Sequence, residues 1–140
     1  MELQKAIDAV NAKFKYEKDE GIDRWEVMGS DMRGDCEDYA LTIAKLHSEK
    51  WTTFFWRLFG NQYYKIWYVK TKSGAGHAVL EVEGQFIDNF YRKLVPEMNI
   101  HKFYFYYPRT LLVGKLFWSF ILGGADALRR TWKNRIQKKR

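Results

Sequence analysis

One cysteine, one histidine and one aspartate form a set able to do covalent chemistry. Cys36 is the only cysteine of the 140-residue chain and lies in the stretch Gly34-Asp35-Cys36-Glu37-Asp38-Tyr39-Ala40. A thiol attacks a carbonyl carbon as the thiolate, and its ordinary pKa of about 8.5 leaves it mostly protonated at neutral pH. A helix N-terminus favours the thiolate, through backbone N–H groups without intrahelical partners and the positive end of the helix dipole. The local residues place Cys36 there. Asp35 is a good N-cap, and Asp38, three residues on, can close a reciprocal capping pair. Behind them Tyr39, Ile43 and Leu46 recur at helical spacing, with Ala40, Ala44 and His47 beside them, in a helix running to about Lys50. The acidic neighbours Asp35, Glu37 and Asp38 work against the thiolate, so a nucleophilic Cys36 needs a partner base.

The chain offers three histidines as that base. His47 is on the same helix as Cys36, roughly 16 Å along the axis at about 1.5 Å per residue, and cannot reach it. His101 sits in a loop among polar residues with no orienting partner in its sequence neighbourhood. His77 opens a strand after the Gly-rich stretch Thr71–Gly76. The hairpin that follows tests it. With Glu83-Gly84 as a two-residue turn, Val82 faces Gln85, Leu80 faces Ile87 and Val79 faces Asp88. His77 shares parity with Val79, so His77 and Asp88 are diagonal neighbours on one face, about 7–8 Å apart at the backbone. Asn89 points to the other face, and an odd-length loop would separate the pair. Cys36 is then the nucleophile, His77 the general base and acid, and Asp88 the residue that orients His77.

The elements that must position these residues follow one order. Residues 2–16 are an amphipathic helix with Leu3, Ala6, Ile7, Val10 and Phe14 on its apolar stripe. Lys15–Arg24 is a charged loop, and Trp25, Val27 and Met28 form an apolar patch before the cysteine helix. Trp51–Phe59 reads as a short helix or flap ended by Gly60-Asn61. Strands follow over Tyr63–Lys70, His77–Val82, Gln85–Phe90 and Phe103–Tyr107, the last ended by Pro108. Helices first and an antiparallel sheet second make the class α+β. The aromatic content of 18% supplies a core, and one cysteine excludes an internal disulfide framework. The opening Met1-Glu2-Leu3-Gln4-Lys5 lacks a signal-peptide pattern, which places the chain in the cytoplasm.

The net charge of +7 is concentrated at one end: seven of the 24 basic residues lie in 129–140, which hold no acid, and the rest of the chain is balanced at 17 of each sign. Leu111–Leu128 is apolar but interrupted by Lys115, Gly123, Gly124 and Asp126, short of the about 20 apolar residues that a membrane span needs. Phe117, Ile121, Leu128 and Trp132 form a helical stripe ahead of the basic run. Residues 109–140 therefore read as a C-terminal amphipathic and basic element appended to a domain over 1–108. It either packs on the domain or a protein partner, or lies on an anionic membrane surface. Nothing in it specifies nucleic acid. No histidine or cysteine pair has zinc-binding spacing, and Gly74-Ala75-Gly76 leads into a strand rather than the helix of a dinucleotide loop.

Together, Gly34-Asp35-Cys36-Glu37-Asp38-Tyr39-Ala40, Gly76-His77-Ala78-Val79-Leu80 and Ile87-Asp88-Asn89 resemble the bacterial transglutaminase-like cysteine peptidases, relatives of papain-like enzymes. The similarity covers roughly residues 7–107, with Asn11, Tyr16 and Trp25 matching the upstream pattern. It implies a transglutaminase-like core, a triad at Cys36, His77 and Asp88, and hydrolysis of a protein or peptide amide through a thioester. No cofactor is required. Some members hold calcium beside the cysteine, and Asp35, Glu37 and Asp38 match those ligand types; capping of the helix is the other use for them. Trp25 and Asp35 are candidates to line the site, the Cys36 backbone N–H is the natural oxyanion donor, and Trp25 serves equally as a core residue. The chain resembles a minimal, phage-type member: the segment from Trp25 to Cys36 is short, and 108–140 has no counterpart. The contrasting reading is an idle module of this type that binds a partner or membrane.

Overall fold

The computed structural model describes residues 1–18 and 25–121. Helix α1 spans Leu3–Lys13 and buries Ala6, Ile7 and Val10. It is shorter than its apolar pattern suggests, because the next residues are captured by another segment. Lys15–Tyr16, β1, pairs in parallel with Arg33–Gly34, β2. Most of the loop expected over Lys15–Arg24, and the whole basic run 129–140, lie outside the described residues.

Helix α2, Cys36–Ser48, starts where its caps dictate. The Asp35 carboxylate accepts from the Asp38 N–H at 3.3 Å, and the Asp38 carboxylate accepts from the Asp35 N–H at 3.2 Å. The other Asp38 oxygen accepts from the Glu26 N–H, and Thr42 Oγ1 accepts from the Met28 N–H, so α2 also holds the segment before β2. Gly34 makes this turn feasible: a Cβ there would lie 2.7 Å from Asp38 and 2.9 Å from the Met28 sulfur. Trp51–Phe59 resolves into α3, Trp51–Phe55, and a π-helical turn, Trp56–Gly60.

Four antiparallel strands follow: β3 (Tyr64–Lys70), β4 (Gly76–Val82), β5 (Gln85–Ile87) and β6 (Lys102–Tyr106), in the order β5-β4-β3-β6. The β4–β5 register is Val82 to Gln85 and Leu80 to Ile87, across a turn with positive φ at both Glu83 (51°) and Gly84 (79°). Such turns match the twist of the flanking strands. The returning strand ends at Ile87 rather than Phe90. Asp88 Oδ1 accepts from the Tyr91 N–H and the Asp88 carbonyl from the Arg92 N–H, which turns the chain off the sheet.

Alternation along β4 divides the core. Ala78, Leu80 and Val82 pack with Ile7, Val10, Tyr39 and Ile43 of the helices. On the other face Val69, Val79 and Met98 form a smaller cluster with Trp67, Phe86 and Phe103. Residues 109–121 form a further helix, α4. Its Leu112 is fully buried in the main core, so the boundary expected at residue 108 does not divide the hydrophobic interior. Among the described residues no helix is long and apolar enough to cross a membrane.

Candidate active site

Cys36 is the first residue of α2 and is partly exposed. β5 pairs only with Leu80–Val82, so β4 residues 76–79 have no strand beside them on that edge. There the Ala78 N–H lies near enough to the Cys36 sulfur to favour its charged form, which places the thiol beside the residue after His77.

His77 and Asp88 meet as the hairpin register requires: the His77 Nε2–H donates to Asp88 Oδ2 at 2.8 Å. The same oxygen accepts from His101 Nε2–H at 2.9 Å. Side-chain exposure is 4% for His77, 3% for His101 and 0% for Asp88, so the three groups are shielded from water. Burial pushes the Asp88 carboxyl up, but the hydrogen bonds from His77, the Tyr91 N–H and His101 outweigh it and hold the carboxyl below its ordinary value. An anionic Asp88 with two imidazole donors fixes both tautomers. In each neutral ring Nδ1 is left as a bare acceptor. Phe90 stacks on the His77 ring, centroids 4.4 Å apart and planes 5° from parallel.

Two further hydrogen bonds hold the loop that carries Asp88. Asn11 on α1 donates to the Arg92 carbonyl at 2.8 Å, and its side-chain oxygen accepts from the Tyr39 hydroxyl at 2.7 Å. Asn11 thus ties both helices to the turn after β5.

Cys36, His77, His101 and Phe90, with Tyr16 and residues of the 71–76 loop, line one cleft of about 400 Å³. The thiol in it is not pre-ionised. Burial pushes its pKa well above the ordinary thiol value, the Glu37 and Asp35 carboxylates add to that, and the Ala78 N–H only partly opposes them.

The remaining candidates fall elsewhere. Trp25 does not line this cleft: it is buried edge-on against Tyr107, with the Lys115 ammonium over its ring, and borders a separate apolar groove. The core use of this tryptophan prevails because its backbone N–H is held by Ser119 of α4. Asp35 is absent from the cleft wall and acts as the cap. Asp35 and Asp38 both accept from backbone N–H groups, and Glu37 Oε2 is buried with no hydrogen-bond partner among the described residues. The three do not converge as a calcium cage. Among the described residues the acid or histidine group that does converge is His77, Asp88 and His101, with ligand atoms within 4.8 Å of one another. Two ligands of a tetrahedral zinc at about 2.0–2.1 Å stand about 3.3 Å apart. The observed 2.8 and 2.9 Å are the lengths of direct hydrogen bonds instead.

Two residues of the site went unread in the sequence. His101 finds its orienting partner in Asp88, 13 residues back and beyond the neighbourhood in which the sequence showed none. Phe90 covers His77 only because the chain leaves β5 early. His47, the third histidine, is bonded to the Tyr64 hydroxyl at 2.7 Å. No protein-family model matches the chain, and no curated protein matches it either.

Proposed function

We propose that the protein is a cysteine hydrolase of the transglutaminase-like, papain-related kind, acting on an amide of a protein or peptide. The observation that carries this is the hydrogen bond to buried Asp88 from His77, in the wall of the cleft that Cys36 also lines. With Nε2–H committed to Asp88, His77 turns its bare Nδ1 to proton transfer. As the substrate carbonyl enters, His77 takes the thiol proton and the sulfur attacks the carbonyl carbon. The oxyanion faces the Cys36 backbone N–H at the start of α2. His77 then gives its proton to the leaving amine, and a thioester remains on Cys36. Water, deprotonated by the same imidazole, releases the acid and restores the thiol. An amine in place of water gives acyl transfer by the same steps. Asp88 stays anionic throughout and stabilises the charged imidazole. No step draws on calcium or another cofactor.

The protonated resting thiol favours one rival, a catalytically idle module of the same fold that binds a partner. An unbiased peptide library separates the two. The native protein should generate new amino termini that Cys36→Ala and His77→Ala proteins do not. Identical product profiles for native and Cys36→Ala protein would retire the hydrolase reading.

A further inference from the structure

Helix α4 carries apolar side chains almost all round. Leu112 and Ser119 are buried against the domain, while Phe117, Trp118, Phe120 and Ile121 are 65, 52, 79 and 44% exposed. Beyond an apolar groove of about 540 Å³, α3 and the π-helical turn expose Trp51, Phe55 and Trp56. A helix that is hydrophobic on every side belongs against more than one apolar surface, and a contiguous exposed patch of large aromatic residues marks a contact site.

Charge says what kind. From Met98 to Arg140 the chain holds ten Lys and Arg residues and one acid, Asp126. Arg129, where the basic run begins, is eight residues beyond Ile121. At no more than about 3.6 Å per residue it stays within roughly 29 Å of the patch. Aromatic side chains next to clustered cations are the composition of surfaces that lie in the headgroup layer of a bilayer. Among the described residues no helix is long and apolar enough to cross a membrane.

We infer that the face built by α4 and residues 51–56 docks on an anionic lipid surface. Phe117, Trp118, Phe120 and Ile121 enter the headgroup–acyl boundary, and the basic residues of 129–140 meet the anionic headgroups. Each such cation near the surface adds about fivefold in affinity, an attraction that salt screens. The inference stands independently of the hydrolase reading, because the groove and the Cys36 cleft share no residue.

The test is co-sedimentation of the full chain with vesicles of phosphatidylcholine, with and without phosphatidylserine. Binding should favour the phosphatidylserine vesicles and weaken as salt rises. The pair Trp118→Ser with Phe120→Ser should lower it by about tenfold or more while far-UV circular dichroism is unchanged. If that protein misfolds, Phe117→Ser with Ile121→Ser makes the same test. No binding, equal binding to both vesicles, or undiminished binding by a folded variant overturns the inference. So does a dimer in lipid-free solution that these substitutions dissociate, which assigns the face to a second copy.

Discussion

Two concave surfaces among the described residues, of about 400 and 540 Å³, are opposite in construction. The Cys36 cleft depends on direction. Its histidines, its aspartate and the loop behind them are held by hydrogen bonds of 2.7–2.9 Å, and one carboxylate oxygen serves two imidazoles. The aromatic groove depends on area: its walls are mostly aromatic and aliphatic side chains, with Glu26 and Ser119 the polar residues among those that line it. Directional contacts degrade steeply when one partner is lost, whereas contact area degrades in proportion to what is removed. Substitutions in the two regions should therefore behave differently.

The sharpest break is Cys36→Ala. Amide hydrolysis should fall by at least about 10⁴-fold, while sedimentation with anionic vesicles stays at the native level. Lipid binding that falls together with activity would merge the two regions. Asp88→Asn comes next. It should lower the hydrolysis rate by on the order of 10³–10⁴-fold, because the orienting charge and the fixed tautomer of His77 are lost. Urea unfolding should also report a loss of about 3 kcal/mol, since three buried donors lose a charged acceptor. The sign of the pH effect follows from the depressed carboxyl. Its stabilisation is present above the ordinary Asp pKa of about 3.9 and is lost as pH falls through the lower folded value. Asp88→Asn protein should lack that acid-dependent step in unfolding titrations.

Gly34→Ala sharpens the comparison from the backbone side. A methyl group 2.7 Å from Asp38 should cost about 1–3 kcal/mol in thermal or urea unfolding and reduce turnover by shifting the α2 cap. The smallest effect is at Glu37. Glu37→Gln removes a carboxylate that disfavours the thiolate, so Cys36 alkylation near pH 8 should accelerate severalfold, with its midpoint moved to lower pH. Unchanged alkylation would assign the protonated state to burial and Asp35.

Short-range chemistry made the α2 cap and the β4–β5 hairpin legible. The Asp35–Asp38 pair is local, and the two-residue turn at Glu83-Gly84 decides by parity which side chains share a face. That was enough to bring His77 and Asp88 together. His101 was not legible because its partner is reached through the strand order, in which β6 lies beside β3 rather than β5. Trp25 could be placed in either of two sites until Ser119, 94 residues away, held its backbone N–H. The state of the Cys36 thiol was also hidden: acidic neighbours are visible in the sequence, but the larger cause is burial, which only the packed structure supplies.

The solitary thiol also determines how the protein ages under oxidants. Peroxide reacts with thiolates, so a sulfur kept protonated by its surroundings is a poor target. Once oxidised to the sulfenic acid, however, Cys36 has no second cysteine in the chain to resolve it as an internal disulfide. Unless an external thiol first captures the sulfenic acid as a mixed disulfide, further oxidation to the sulfinic acid is permanent. The burial that keeps the thiol protonated thus also protects the sulfur from oxidants.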